Sequence, residues 1–95
     1  GMGEVIVMAS ERQGYTLSDR GTYIAYAEKT PLQIVSEGDK RLFNPYGVIM
    51  VNPARHKHVK VDLAKAFLDY LSSNQAKQLI TGFRKGGKQL FYIAE

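Results

Sequence analysis

The sequence predicts an α/β fold, and three observations carry that expectation. Leu63, Phe67, Tyr70 and Leu71 recur at i, i+4, i+7 and i+8, one face of a helix opposite Lys65 and Asp69. Residues 46–51 form a short run, mostly β-branched or aromatic, closed on either side by Pro45 and Asn52-Pro53. Helical and strand-like segments of this kind alternate along the chain with no internal repeat.

The elements follow in order. Residues 1–13 admit two readings. Val5, Ile6 and Val7 favour strand, while Met2, Val5, Met8, Ala9 and Arg12 fit a helical face. Gly14 breaks the element, and residues 15–17 read as a short strand. Thr16 or Ser18 can start a helix that runs to Tyr26. Thr16 with Asp19 matches the T-x-x-D pattern, in which a side-chain oxygen accepts from an orphan amide. Thr30-Pro31 ends that helix, because proline disfavours helix in the residue before it.

Leu32, Ile34 and Val35 suggest another strand, followed by a charged turn at residues 37–41 and a break at Asn44-Pro45. Residues 46–51 have almost no polar side chain, which predicts a strand covered on both faces. A helix is expected over residues 61–71, with Asp62 suited to the dipole of its first turn. Ser72 and Gln75 match an S-x-x-Q capping box for a second helix. Ala76, Leu79, Ile80 and Phe83 give that helix its face. Gly86-Gly87 are expected to stop it, and residues 90–93 to form a last strand.

Composition narrows the function classes. The 95 residues are 44% hydrophobic and 23% charged, the balance of a globular chain. Cysteine is absent, which excludes disulfides, thiolate metal sites and a cysteine nucleophile. No apolar run approaches the roughly 18 residues of a membrane span. No segment has the pattern of a signal peptide, so a protein working outside the cytoplasm would have its targeting signal outside these residues. The net charge is +4. Residues 1–52 hold five basic and six acidic groups, and residues 53–95 hold eight basic and three acidic. The surplus of cations therefore lies in the second half.

Catalytic signatures are missing: no G-x-S-x-G, no H-E-x-x-H and no P-loop. His56 and His58 share a loop with Arg55 and Lys57, cations that disfavour a metal ion. Acidic residues are scattered, with no spacing that suggests acid–base work. The expectation is a protein that is not an enzyme and holds no metal or cofactor. Basic residues and six tyrosines raise an alternative, a small basic module binding nucleic acid or a protein partner. Against nucleic acid, Lys65, Lys77, Arg84 and Lys88 occupy positions where helices and turns keep solvated charges, and no recognition motif is present.

The stretch GYTLSDRGTY, residues 14–23, is the most informative. It brings the hydroxyls of Tyr15, Thr16 and Ser18 to a strand-to-helix junction, where free amides also attract anions. Thr16 or Ser18 capping the helix, with Tyr15 packed, accounts for the same residues in purely structural terms.

Together, GMGEVIVMASERQGYTLSDRGTYIAY, EGDKRLFNPYGVIMVNP, AKAFLDYLSSNQAKQLI and GKQLF resemble the C-terminal part of the tungstate-binding proteins of bacterial ABC importers. The resemblance covers essentially the whole chain. YTLSDRGTY and LFNPYGVIMVNP are its specific parts, while the terminal helix pair is shared with molybdate binders and other solute-binding proteins. It implies a type II periplasmic-binding-protein fold: two α/β/α lobes joined by hinge strands, with an oxyanion held in the cleft. It also implies that residues 1–13 are helical and that this chain is a portion of such a protein, open to strand exchange or homo-oligomer formation through exposed surfaces. Residues 1–44 would end the second lobe as helix, short strand, helix and strand. Residues 45–95 would supply a hinge strand and return to the first lobe with the C-terminal helix pair.

The resemblance further implies an extracytoplasmic or periplasmic location, a membrane permease as partner, and tungstate or molybdate as ligand rather than cofactor. Relatives carry a threonine- and serine-rich loop and an arginine-bearing loop that these 95 residues do not contain. In molybdate binders of this type, a tyrosine at the equivalent strand end donates its hydroxyl to the oxyanion, and Tyr15 matches it. Thr16 and Ser18 are the accompanying ligand-binding candidates. Asp19 and Arg20 are expected to form a local ion pair or to support the hinge. Neutral hydroxyl donors suit an anion that only accepts hydrogen bonds, because they avoid burying an opposing charge.

Overall fold

A computed structural model of the chain describes residues 1–94. Glu95, the end of the expected second stretch, lies outside the described residues. The chain divides into two compact units. One contains Gly1–Asn44 together with Arg84–Leu90; the other contains Pro45–Phe83 and the residues from Phe91 onward.

In the first unit, helix α1 spans Met2–Glu11 and helix α2 spans Arg20–Tyr26. The open choice over residues 1–13 falls to helix. Ile6 is the residue of α1 that is fully buried, at 1% exposure, and α1 packs on α2. One apolar face against a neighbouring helix outweighs the strand propensity of three successive β-branched residues. The end of α1 turns on Gln13, whose φ is +53°. Gly14 N–H donates to Ala9 O at 2.9 Å and Gln13 N–H to Ser10 O at 3.1 Å, the paired bonds of a Schellman motif. The left-handed residue is thus Gln13 rather than Gly14.

After α2, the Tyr23 hydroxyl donates to the Leu32 carbonyl at 3.1 Å and ties the helix to the segment that follows. Gly38, with φ of +82°, sets up a short 3₁₀ turn over Lys40–Leu42. Asp39 caps that turn by accepting from the Arg41 amide at 2.8 Å. Strands β1 (Arg84–Lys85) and β2 (Lys88–Gln89) form an antiparallel hairpin, pairing Arg84 with Gln89 and Lys85 with Lys88. Gly86 and Gly87 both have positive φ, +58° and +74°, as a two-residue turn matched to strand twist requires. Their role is to make this hairpin, not to stop a helix.

In the second unit, helix α3 spans Val61–Leu71 and helix α4 spans Asn74–Gly82. Ala76 is buried at 2% exposure, and the two helices pack together. Ser73 caps α4 by accepting from the Ala76 amide at 3.2 Å. Ser72, the expected cap, ends α3 instead, its hydroxyl directed to the Leu68 carbonyl at 3.4 Å. Asn52 accepts from the Ala54 amide at 2.9 Å, an Asx turn that closes the 46–51 run. Phe91 stands edge-on to Tyr46, ring centroids 6.1 Å apart, and 6.2 Å from Phe83.

Four expected strands are corrected. Residues 15–17, 32–35, 46–51 and 90–93 have no strand assignment, and β1–β2 is the sole ladder among the described residues. Propensity extends a segment, but a strand needs a partner to take its amides and carbonyls. Residues 46–51 were expected to be covered on both faces, yet Ile49 is 89% exposed and Tyr46 73%. Fully buried apolar side chains among the described residues are Ile6 and Ala76, one in each unit.

Candidate functional site

The segment between α1 and α2, residues 14–19, has no regular structure and lies in the first unit. Tyr15 is 91% exposed and makes no hydrogen bond among the described residues. The Thr16 hydroxyl donates to the Leu17 carbonyl at 3.3 Å, and the Ser18 hydroxyl donates to the Asp19 carbonyl at 2.8 Å. Tyr15 and Thr16 are exposed and Ser18 is half-buried, and the two hydroxyls that are engaged bond to the next carbonyl along the chain. Such local bonds are readily exchanged for another acceptor.

The start of α2 belongs to Asp19, not to Thr16 or Ser18. Its Oδ2 accepts from the Thr22 amide at 2.9 Å, and its carboxylate accepts from the Thr22 hydroxyl at 2.8 Å. Asp19 sits directly before the helix with extended φ and ψ of −71° and 153°, the geometry an N-cap needs. The Thr22 amide, with the Thr22 hydroxyl adding to it, holds the Asp19 carboxyl below the usual carboxylate range. A carboxylate thus already occupies the amino end of α2, so the oxyanion case rests on side-chain hydroxyls and not on that helix end.

Arg20 does not pair with Asp19. Its guanidinium donates to Glu37 Oε2 at 2.7 Å, across 17 residues of sequence. Sequence reasoning missed Glu37 because no periodicity links positions so far apart. Thr22 was legible in principle: D-x-x-T places a second hydroxyl over the cap carboxylate.

Two concavities elsewhere have different chemistry. In the second unit, Val48, Met50, Val59, Val61, Phe67 and Leu68 line an apolar groove of about 200 Å³. It lacks the convergent donors an oxyanion needs. In the first unit, Ser36, Asp39, Arg41 and Leu42 line a polar hollow, where Arg41 is paired with Asp39 at 2.8 Å. The Arg41 guanidinium, and after it the Arg41 amide, holds the Asp39 carboxyl low. The His56 and His58 rings stand edge to face, 6.3 Å between centroids. Among the described residues no three His, Cys, Asp or Glu side chains gather into a metal-binding group, and no helix is long and apolar enough to cross a membrane.

Residues 1–75 match the family model described as a PBP superfamily domain. A protein of Peptoclostridium acidaminophilum named tungstate-binding protein TupA is 45% identical over 93 residues, covering 96% of this chain and 32% of that protein. A protein of the same name from Campylobacter jejuni is 40% identical over 97 residues, covering 98% of this chain and 36% of its own. A Haloferax volcanii protein, named for a provisional role as an ABC transporter anion-binding protein, is 40% identical over 97 residues, 97% of this chain and 28% of that protein. This chain therefore spans about a third of the length of the curated relatives it matches. A crystal structure of a functionally unknown protein from Vibrio parahaemolyticus is similar, with a TM-score of 0.50 and 53% identity over 90% of this chain and 36% of that one.

Proposed function

We propose, because this chain belongs to the PBP superfamily, that it is part of an extracytoplasmic solute-binding protein that takes up a tetrahedral oxyanion, tungstate or molybdate, for an ABC importer. The observation that carries this reading is the 40–45% identity, across nearly the whole chain, to two relatives named as tungstate-binding proteins. The oxyanion is a ligand, not a cofactor, and the task is binding and delivery to a membrane permease, not catalysis.

Tyr15, Thr16 and Ser18 are the proposed ligand donors. A tetrahedral oxyanion accepts hydrogen bonds at each oxygen, and three hydroxyls within four residues supply donors without an opposing charge. Excluding water around them strengthens each bond.

In the same reading, residues 1–44 close the second lobe, and residues 45–95 supply a hinge strand and return to the first. The exposed apolar run at residues 46–51 supports this. Val48 is 55% exposed and Val51 52%, in a segment built for a sheet interior. Further strands in a protein of the relatives' length would cover it. Left uncovered, such a surface favours self-association.

The test is calorimetric titration of tungstate, molybdate and sulfate into a chain of the relatives' full length that carries these residues. Saturable binding of tungstate or molybdate, with sulfate weaker, is expected. No heat of binding with either metal oxyanion would overturn the reading.

A further inference from the structure

We propose that Arg20 and Glu37 are a positioning pair for the ligand-binding segment, a proposal that rests on the oxyanion reading above. Among the described residues there are three ion pairs. Gly1 with Glu4 and Asp39 with Arg41 are local, joining residues three and two apart. Arg20–Glu37, at 2.7 Å, is the one that joins distant segments.

Its two ends are themselves fixed. Arg20 is the first residue of α2, and Asp19 before it is held by both donors of Thr22. Glu37 stands immediately before Gly38, whose φ of +82° leads into the turn capped by Asp39. One turn further along α2, the Tyr23 hydroxyl holds the Leu32 carbonyl at 3.1 Å. The helix is thus fastened to the outgoing segment at two points, and the hydroxyl-bearing residues 15–18 lead directly into that fastened end. Their carboxy-terminal side is anchored by contacts that need no ligand.

The pair adds little to stability, since the Arg20 and Glu37 side chains are 39% and 53% exposed. Its effect is on direction and charge. The planar guanidinium fork fixes geometry better than an ammonium would. Glu37 also neutralises Arg20, so the segment offers neutral hydroxyls rather than a bare cation.

Two roles for Arg20 predict opposite signs. If Arg20 attracted the anion by charge alone, removing the Glu37 carboxylate would tighten binding. If the pair positions the segment, Glu37→Gln weakens tungstate binding by about two- to fivefold, the scale of one exposed ion pair. Arg20→Gln weakens it by the same factor, and the double variant is no worse than either single one. The charge-swapped Arg20→Glu/Glu37→Arg protein regains most of the affinity, and Arg20→Lys, which folds with the charge in place, loses less than Arg20→Gln. Calorimetry with tungstate on a chain of the relatives' length reads all of these, alongside a melting temperature that stays nearly constant. Tungstate binding that is unchanged or tighter in Glu37→Gln overturns the positioning role and leaves the oxyanion reading intact. An unsubstituted protein that does not bind tungstate overturns both.

Discussion

The Tyr26 ring lies directly against the backbone of Gly3: a Cβ added at Gly3 would stand 2.7 Å from the ring carbon Cε1. The glycine is a packing requirement. It lets the last turn of α2 approach the first turn of α1. Tyr26 also carries Lys29 over its ring, with Nζ 5.2 Å from the centroid. Gly3→Ala is therefore expected to destabilise the protein by about 1–3 kcal/mol, the range for overpacking, despite alanine's better helix propensity. Urea denaturation checks the sign. A stabilised Gly3→Ala protein would mean that the ring moves aside freely.

Asp19 sets an acid limit on α2. Its folded-state pKa is depressed, by the Thr22 amide first and the Thr22 hydroxyl after it. The contribution is therefore complete above the ordinary carboxylate range and fades as pH falls through the lower folded value, below about pH 4. Asp19→Ala should cost about 0.5–2 kcal/mol at neutral pH, the usual scale of a lost N-cap. Asp19→Asn keeps an acceptor and should remove the acid dependence of this cap. Denaturation curves at pH 7 and pH 3 for the three proteins separate these effects.

The two adjacent serines before α4 make a paired prediction. Ser73 Oγ accepts from the Ala76 amide at 3.2 Å and donates to the Tyr70 carbonyl at 2.5 Å, whereas the Ser72 hydroxyl makes a single long contact of 3.4 Å. Ser73→Ala should cost about 1 kcal/mol and Ser72→Ala only a few tenths. Equal losses in thermal melting would contradict the assignment of the cap.

That pair of serines also shows what the sequence could tell. The S-x-x-Q pattern of Ser72 and Gln75 located the start of a helix but set its cap one residue early, and backbone geometry gives the role to Ser73. Asp19 prevailed over Thr16 and Ser18 in the same way, because all three are good caps and only position decides between them. Helix α3 was legible to its ends, since four apolar residues on one face leave little choice of period. Residues 46–51 read as a covered strand because composition reports what a segment is suited to. Whether a partner strand lies beside it depends on residues far away in sequence or beyond these 95. The hydroxyls at Tyr15, Thr16 and Ser18 are visible as a group in the sequence, but the exposure of Tyr15 and the Arg20–Glu37 tie that follows the segment come only with the fold.

The measurement that bears most directly on the oxyanion reading is a comparison of tungstate affinity with and without the Tyr15 hydroxyl. Calorimetric titrations would use a chain of the relatives' length carrying these residues, unsubstituted and as Tyr15→Phe. Removing one hydrogen bond to a charged ligand should weaken binding by about 1–2 kcal/mol, roughly five- to thirtyfold, while the melting temperature of so exposed a residue stays unchanged. Equal tungstate affinity in the two proteins would contradict the placement of Tyr15 at the ligand.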